Sequence, residues 1–580
     1  MKSKLYLVSL RGSLMLLVLL PVLPVFAPWH LKPIASFHAE WLALIVGLLA
    51  GLALVPVLLR AKVLLLPRMV LLPLALMAFI AVQAQLLPQV VSEHAQMAML
   101  YLLWAALLMA LMGVLQEQVG RVQVSVWLAG GLMVAASSSA LWEFIFRLNG
   151  ILGWWGGTTQ ANNYGDLLAL GLASALYLLT VIKPARRGYL LALAAVIVLG
   201  LSLTPSRSVW LYWLAMLLLV WRWQRSELRG LLVGFALYVL LQALWSSGLL
   251  PAQQTAFERL YQQIGGAPVR LHIWQVAWQL FLQTPWLGQG FGQFDWAYFQ
   301  AGQHIPELGN RMEHAHNLIL HLLAELGIVP VLLLLALLGL WVRPLLGALN
   351  QSGHKQSVDS SNSLRLWLLM LMAILGLHSL LEYPLWYAQF LGVAAMMLAL
   401  GDDCVWPVRL SKAGIWAVSG LLLMAVAVAG VHEWQYAKVE QALDSYSTQP
   451  SQQKINRFVS IVQQANVLAP LLNPHLAVMF TLAGDPANEK LRPDLTVLVN
   501  ASYRFLPANV LAFRQAEMQA LNGEAAQAID TLDLALKAYP DWAEAFIAEL
   551  DKLNAADQQK MVFLRGMAGV VASQYSKSYH

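Results

Sequence analysis

The amino-acid sequence predicts an all-α polytopic membrane protein with about 13 transmembrane helices. Of its 580 residues, 59% are apolar and 11% are charged, whereas soluble domains have about a quarter of their residues charged. The shortage of charged residues is confined to residues 1–433, where apolar runs alternate with short polar breaks. Residues 434–580 have the composition of a water-soluble helical domain. We therefore expect a transmembrane domain over 1–433 and a soluble helical domain over 434–580.

The apolar runs mark where the chain is expected to cross the bilayer, since a crossing helix needs about 20 apolar residues. We predict spans at 9–27, 40–59, 69–87, 96–115, 124–144, 166–182, 189–204, 208–221, 230–250, 316–342, 366–381, 385–401 and 413–432. The N-terminal stretch, with Lys2, Lys4 and Arg11 before the apolar residues Leu14–Ala27, resembles a secretory signal peptide. Because many spans follow it, we favour an uncleaved first helix.

The lysines and arginines predict the orientation, since cytoplasmic loops retain positive charge. Most of them fall in alternate loops if the N-terminus is cytoplasmic, which places the C-terminus outside. We expect a multi-pass protein of a bacterial inner membrane with a periplasmic C-terminal domain. The basic residues that oppose this bias are Lys32, Arg147, Arg207, Arg259, Arg270 and Arg311. We interpret Arg147 and Arg259 as solvated loop charges, and expect a functional role for Arg207 and Arg270.

Composition also limits the function classes. The single cysteine, Cys404, excludes an intramolecular disulfide and a cysteine-based metal cluster. Basic residues sit at helix ends and form no stripe with interleaved aromatics, so we expect no nucleic-acid partner. The sequence carries no P-loop or dinucleotide-binding signature, and we expect no cofactor.

The longest break between spans, at 251–315, is expected to be a large periplasmic loop with a function. It contains Arg270-Leu-His-Ile-Trp274 and an aromatic, glycine-rich stretch at 284–294, and 269–283 has helical apolar spacing along the membrane surface. It ends in Glu313-His-Ala-His-Asn317. His314, Asn317 and His321 are spaced to share one face of the next helix. A zinc site and a simple helix cap are the alternative interpretations of these histidines.

Other polar clusters lie where helices are expected to begin on the outer face: Gln160 with Asn162, Ser206 with Arg207, and Glu382 with Tyr383 and Tyr387. If these helices pack together, their N-termini form a site for an anion such as phosphate, to which arginines would add charge-assisted contacts. Sugar rings would stack on aromatic side chains there, although most tryptophans belong to the membrane-interface belt. The candidates for stacking are Trp154, Trp155, Trp286 and Trp296.

These motifs resemble the Wzy/O-antigen ligase superfamily. The similarity lies in Arg270-x-x-x-Trp274, the Thr-Pro-Trp-Leu-Gly-x-Gly-x-Gly-x-Phe stretch after it, and His-Ala-His-Asn-Leu-x-Leu-x-x-x-x-Glu-x-Gly. Gln160-Ala-Asn and His378-Ser-Leu-Leu-Glu-Tyr-Pro-Leu-Trp-Tyr387 are more similar to the PglL-type bacterial protein O-oligosaccharyltransferases. The resemblance covers roughly residues 150–400, and it implies a GT-C-like glycosyltransferase that acts on the periplasmic face.

The resemblance also implies roles for individual residues. His316 matches the family's essential histidine, with His314 as the second choice. Arg207 and Arg270 match arginines proposed to bind the lipid diphosphate, and Gln160 and Tyr387 match positions associated with activity. The polar stretches themselves add Arg311 as a diphosphate-binding residue, and add Asn162, Asn317, Glu382 and Tyr383 as residues expected to bind substrate or support the site.

The implied reaction transfers a glycan en bloc from undecaprenyl diphosphate to a Ser or Thr hydroxyl of a periplasmic, pilin-like protein. The arginines would stabilise the leaving diphosphate without a metal, and His316 would act as general base. A covalent glycosyl-enzyme on Glu313, Asp295 or Glu382 is the less favoured route. An O-antigen ligase or polymerase would use the same donor. A transporter or flippase is disfavoured because the spans contain few ionisable residues.

The C-terminal domain has helical apolar spacing with breaks at Pro470, Pro507 and Pro540. The stretch 521–540 resembles half of a tetratricopeptide repeat, and Ala528, Leu532 and Ala535 fall on that repeat's spacing. We expect a TPR-like domain that binds or orients the protein acceptor; a structural cap over the membrane site is the alternative.

Overall fold

The computed structural model describes residues 4–27, 34–61, 63–88, 90–158, 160–247, 256, 267–302, 312–351, 360–448, 478, 481, 486 and 488–578. Helices dominate this part of the chain. The helices up to the large loop are α1 Lys4–Leu19, α2 Phe37–Leu58, α3 Leu71–Leu86, α4 Ser92–Val119, α5 Arg121–Leu148, α6 Ala161–Val181, α7 Arg187–Leu203, α8 Ser208–Trp223 and α9 Arg225–Ser246. Those that follow are α10 Ala267–Gln283, α11 Phe294–Gln300, α12 Leu318–Leu326, α13 Ile328–Gln351, α14 Ser360–Ser379, α15 Ala388–Gly401 and α16 Lys412–Thr448.

Every predicted apolar segment overlaps one of these helices, but fewer than the predicted number qualify as spans. In the described part of the chain, 10 helices are long and apolar enough to cross a membrane. Of the others, α8 and α15 are apolar but only 16 and 14 residues long. The prediction of about 13 spans is therefore confirmed only in part.

The tenth predicted span, 316–342, is not one helix. It divides into α12 and α13 at Gly327, whose φ is +76°. The loop after α10 approaches this break closely, because Gln289 and Gly290 donate to the carbonyls of Ala324 and Glu325 at 2.8 and 3.0 Å. These bonds satisfy carbonyls that a continuous helix would have used itself.

A short antiparallel sheet departs from the predicted all-α class. Strands β1 Leu64–Pro67 and β2 Val405–Val408 pair with Leu64 opposite Val408. Arg68 and Asp402 form an ion pair of 3.3 Å beside it. The sheet joins the connection after α2 to the connection after α15, and so fixes two distant parts of the bundle at one end.

Helix α6 is the most enclosed of the candidate spans. Of its most apolar stretch, 83% is buried inside the protein, whereas only 6% of the corresponding stretch of α16 is buried. Small and apolar side chains allow α6 to pack closely against α5, α7 and α14. Helix α6 begins at the end of the bundle opposite the β1–β2 sheet. Thr204 donates to the carbonyl of Ala161 at 2.9 Å, so α8 also begins there.

The C-terminal helices pack around their own apolar cluster. They are α17 Arg492–Phe505, α18 Asn509–Leu521, α19 Ala525–Ala538, α20 Ala543–Leu550 and α21 Ala555–Ser578. Pro507 and Pro540 fall between helices, as predicted, while Pro470 lies outside the described residues. Helix α16 continues through the predicted domain boundary at 433/434.

The helical pair α18–α19 buries Ala528, Leu532 and Ala535. These three residues are the ones that fall on the spacing of a tetratricopeptide repeat in the sequence. A tetratricopeptide array and a periplasmic location for these helices stay predictions.

Candidate active site

The carboxylate of Glu382 joins side chains from three separate parts of the chain. Its Oε1 accepts hydrogen bonds from Arg270 Nη2 at 2.9 Å and from Asn162 Nδ2 at 3.0 Å. Its Oε2 lies 2.9 Å from Nδ1 of His316. The Glu382 side chain is only 8% exposed, so a charge at this position depends on these partners. All four residues were expected at the site, but their shared carboxylate was not.

Helix positions explain how Glu382 reaches its partners. It lies just beyond the C-terminus of α14, where its N–H donates to the carbonyl of His378 at 2.7 Å. Asn162 lies in the first turn of α6. A helix N-terminus favours a nearby negative charge, so the Glu382 carboxylate is placed where the α6 backbone also stabilises it.

The motif Arg270-x-x-x-Trp274 places two side chains on one face of α10. Arg270 holds Glu382, and Trp274 Nε1 donates to the carbonyl of Ala315 at 3.0 Å. Ala315 is fully buried, directly before His316. One face of α10 therefore fixes both the histidine segment and the carboxylate that contacts it.

His316 has a φ of +49°, a left-handed conformation that costs a non-glycine residue about 1–3 kcal/mol. The residue after it, Asn317, is the N-cap of α12, and its side chain accepts from Leu320 N at 3.1 Å. The cap and the Trp274 contact hold the backbone on both sides of His316. Strain of this kind is concentrated at functional sites.

The predicted common helical face of His314, Asn317 and His321 is wrong, because α12 begins at Leu318 and the residues before it are not helical. The two histidines still meet, with ring centroids 4.9 Å apart. His314 also stacks on Tyr383 at 4.2 Å, and Trp386 lies edge-on to both histidines. These rings form a wall beside His316.

The charges around Glu382 oppose the effect of its burial. Burial alone raises the pKa of a carboxyl group, but the hydrogen bond from His316 and the charges of His316, Arg270 and His378 outweigh it. The pKa of Glu382 is therefore below its ordinary value. The adjacent phenol behaves differently: burial and the neighbouring carboxylates raise the pKa of Tyr383 to about 12.

An ionised Glu382 selects the tautomer of His316. Its Nδ1 must carry the proton that is shared with the carboxylate, which leaves the lone pair on Nε2. The His316 side chain is 26% exposed, so a substrate can reach it. This arrangement can remove a proton from a hydroxyl and stabilise the resulting imidazolium.

An apolar cavity of about 800 Å³ lies on the other side of the aromatic wall. Its sides come from α3, α4, α13, α14 and α15. The polar residues that line it include His94, Asp295, Glu313, His314 and Arg504. Its volume and its mostly apolar lining suit an apolar chain that carries a polar group at one end.

The other predicted residues lie near this centre or outside the described residues. Gln160 is the half-buried N-cap of α6, and Tyr387 is the N-cap of α15 and hydrogen-bonds to the Asn163 side chain. Arg207 is the half-buried N-cap of α8, directly after the segment that packs on the start of α6. Arg311 and Arg259 lie outside the described residues.

The interpretation of Arg147 as a solvated charge is wrong. Its side chain is 7% exposed and pairs with the fully buried Glu143 at 2.7 Å, and it also donates to the carbonyl of Leu203. A basic residue that opposes the orientation bias can thus have a structural role.

Sequence reasoning did not single out two polar residues that shape the site. Trp274 was quoted only as part of a motif. Gln83 is a buried amide in the apolar helix α3; its amide nitrogen donates to the Glu325 carbonyl at 2.7 Å and its oxygen accepts from Phe291 N at 2.9 Å. An isolated glutamine in an apolar run was the available signal. Within the described residues, no group of three or more His, Cys, Asp or Glu is arranged to hold a metal ion.

Comparison with known proteins agrees with the motifs. Residues 190–336 match the family model described as O-antigen ligase (Wzy_C), and residues 366–552 match the model described as virulence factor membrane-bound polymerase, C-terminal (Wzy_C_2). A general O-oligosaccharyltransferase of Acinetobacter baylyi is 26% identical over an alignment of 293 positions that covers 46% of this chain. The match spans 48% of that relative, so the chain covers about half the length of the curated relative. The expected resemblance to the Wzy_C/O-antigen ligase family is thereby confirmed.

Proposed function

We propose that this chain transfers a glycan en bloc from undecaprenyl diphosphate to Ser or Thr hydroxyls of periplasmic proteins. The family implies a lipid-linked glycan as donor. The observation that carries the reaction is the 2.9 Å contact between His316 Nδ1 and Glu382 Oε2, because it directs the basic nitrogen of the imidazole away from the carboxylate.

The reaction is a single displacement at the anomeric carbon. Nε2 of His316 takes the hydroxyl proton while the acceptor oxygen forms a bond to that carbon. The bond from the carbon to the diphosphate oxygen breaks, and its electron pair leaves on undecaprenyl diphosphate. Glu382 stabilises the imidazolium that forms, as the aspartate of a serine-protease triad does. In-line attack inverts the anomeric centre.

The diphosphate is stabilised by arginines rather than by a metal. Arg270 uses one nitrogen for Glu382, and its other N–H groups remain to contact a phosphate oxygen. Arg207, at the start of α8, and Arg311 are proposed to complete the diphosphate site, with the helix N-termini beside them. The 800 Å³ apolar cavity then receives the isoprenoid units nearest the diphosphate.

The protein acceptor is proposed to approach from the C-terminal helices, residues 434–580. Their position supports this, because Arg504 and Phe505 line the same cavity as His314. The relative named a general O-oligosaccharyltransferase supports a protein acceptor. A lipid A-core acceptor or a growing O-antigen is the second candidate, favoured by the family descriptions O-antigen ligase and membrane-bound polymerase.

Reconstitution distinguishes these acceptors. The purified chain in lipid nanodiscs is incubated with an undecaprenyl-diphosphate-linked glycan and either a pilin-like protein, lipid A-core or no added acceptor. We expect glycosylated protein together with released undecaprenyl diphosphate. Glycosylated lipid A-core alone would indicate a ligase, and a lengthened lipid-linked glycan would indicate a polymerase; either result would overturn the protein acceptor.

A further inference from the structure

A second histidine–carboxylate pair lies beneath Glu382, in the interior of the bundle. Nδ1 of His378 is 3.2 Å from Oδ2 of Asp166, and both side chains are 0% exposed. The reaction proposed above uses neither residue. A buried ion pair is seldom more stable than apolar residues of the same size, so its presence indicates a role other than stability. Ionisable residues inside a membrane domain are functional candidates by default.

Two contacts, one helical turn apart, join α6 to the end of α14. Asn162 and Asp166 are four residues apart on α6, and His378 and Glu382 are four residues apart at the end of α14. The upper contact is Asn162 to Glu382, and the lower contact is Asp166 to His378. The bond from Glu382 N to the carbonyl of His378 connects the two levels along the backbone. The contact with Asp166 therefore holds His378 in place, and the carbonyl of His378 in turn holds the N–H of Glu382.

The lower pair also acts on Glu382 electrostatically. The positive charge of His378 is one of the interactions that lower the pKa of Glu382, after those of His316 and Arg270. Asp166 faces His378 from α6, and Tyr212 faces it from α8 with ring centroids 6.4 Å apart.

We propose that Asp166 and His378 are positioning residues that hold Glu382 in its orientation beneath His316. Neither side chain touches substrate. They act through Glu382, which in turn sets the tautomer and orientation of the His316 ring. The proposal rests on the proposed general-base role of His316, but on no particular acceptor.

The test measures release of undecaprenyl diphosphate in nanodiscs, a product common to transfer onto protein, lipid A-core or glycan. We compare wild type with Asp166→Asn, His378→Gln and the neutral double variant, which keeps the side-chain volumes without an isolated buried charge. Each variant should lose roughly tenfold in kcat, with the KM values for donor and acceptor within about twofold of wild type. The exchanged pair Asp166→His with His378→Asp should not regain this loss, because it places a second carboxylate four residues before Glu382.

The matched control is Tyr177→Phe, which removes a buried hydroxyl from the same helix, where it bonds to Ser125 at 2.6 Å. Its kcat should equal that of wild type. Unchanged kcat in the neutral double variant would overturn the proposal, as would a loss that follows the folded fraction in thermal unfolding or that appears in KM. Wild-type chain that releases no undecaprenyl diphosphate with any acceptor would instead refute the proposed function.

Discussion

His316 Nδ1 and Glu382 Oε2 are 2.9 Å apart, and Glu382 receives Arg270 and Asn162 on its other oxygen. One carboxylate thus orients the proposed base, an arginine expected to contact the donor, and the start of α6. The amide of Gln would lack the charge, and its N–H₂ group would face either His316 or the two donors on the other oxygen, Arg270 and Asn162. We expect Glu382→Gln to reduce glycan transfer roughly 10²–10⁴-fold.

This prediction is checked by initial rates of transfer at saturating donor and acceptor. Glu117→Gln is the control, because Glu117 is exposed near the C-terminus of α4; this variant should transfer at the wild-type rate. Wild-type-like transfer by Glu382→Gln would show that the ionised carboxylate is not needed.

The two histidines that flank Ala315 are expected to differ in function. His316 carries the contact to Glu382, whereas His314 stacks in the aromatic wall beside the cavity. We expect His316→Ala to lose roughly 10²–10⁴-fold in kcat, as for other general bases. His314→Ala should lose less than about tenfold, mostly as a raised KM for donor. If His314→Ala lost more in kcat than His316→Ala, the two roles would be exchanged.

The lowered pKa of Glu382 predicts a dependence of stability on pH. Because the carboxyl is more acidic in the folded protein, its ionised form stabilises the fold above its ordinary pKa of 4.5. That contribution is lost as the pH falls through the lower folded value. The unfolding temperature of wild type should exceed that of Glu382→Gln by a constant amount between pH 7 and pH 8. The difference should shrink below about pH 4.5, measured by tryptophan fluorescence in detergent; a difference that grows on acidification would contradict the direction of the shift.

Arg270 is expected to serve two partners at once, a role that lysine cannot fill. Its Nη2 is used by Glu382, and the rest of the planar guanidinium can contact a phosphate. Arg270→Lys should therefore raise the KM for the lipid-linked donor about tenfold or more, equivalent to about 1.4 kcal/mol. Titration of donor at fixed acceptor measures this. Arg222→Lys, at the far end of α8, is the matched control, and an equal effect there would remove Arg270 from donor binding.

The individual residues of the site could be predicted from the sequence, but their arrangement could not. His316, Arg270, Asn162 and Glu382 each lie in a polar motif beside an apolar run, which is a local signal. Their convergence on one carboxylate joins residues up to 220 positions apart, and no local pattern encodes such a contact. Glu382 was expected to bind substrate or support the site, with a nucleophilic role as the less favoured alternative, and its burial and three partners fit the supporting role better.

The helices were predicted well where an apolar run has polar ends, and poorly where a run hides a break. The run at 316–342 contains a glycine whose positive φ separates α12 from α13, and hydropathy does not register backbone conformation. Similarly, Leu64–Pro67 is as apolar as the membrane-spanning helices, yet it forms a strand. It does so because Val405–Val408, in the connection after α15, lies beside it and pairs with it. Tertiary contacts decide both cases.

The aromatic contact between the large loop and the C-terminal helices gives the last prediction. Phe299 is 3% exposed, and its ring centroid lies 5.8 Å from those of both Tyr503 and Tyr539. Removing a buried phenyl ring costs about 3–5 kcal/mol, a large fraction of what one small interface can supply. We expect Phe299→Ala to detach the C-terminal helices, with faster proteolytic cleavage between them and the membrane region. Phe563→Ala, at a ring that is 63% exposed, should leave cleavage unchanged. If these helices present the protein acceptor, Phe299→Ala should also raise the KM for the pilin-like protein and leave the KM for donor unchanged; equal cleavage in both variants would place the docking elsewhere.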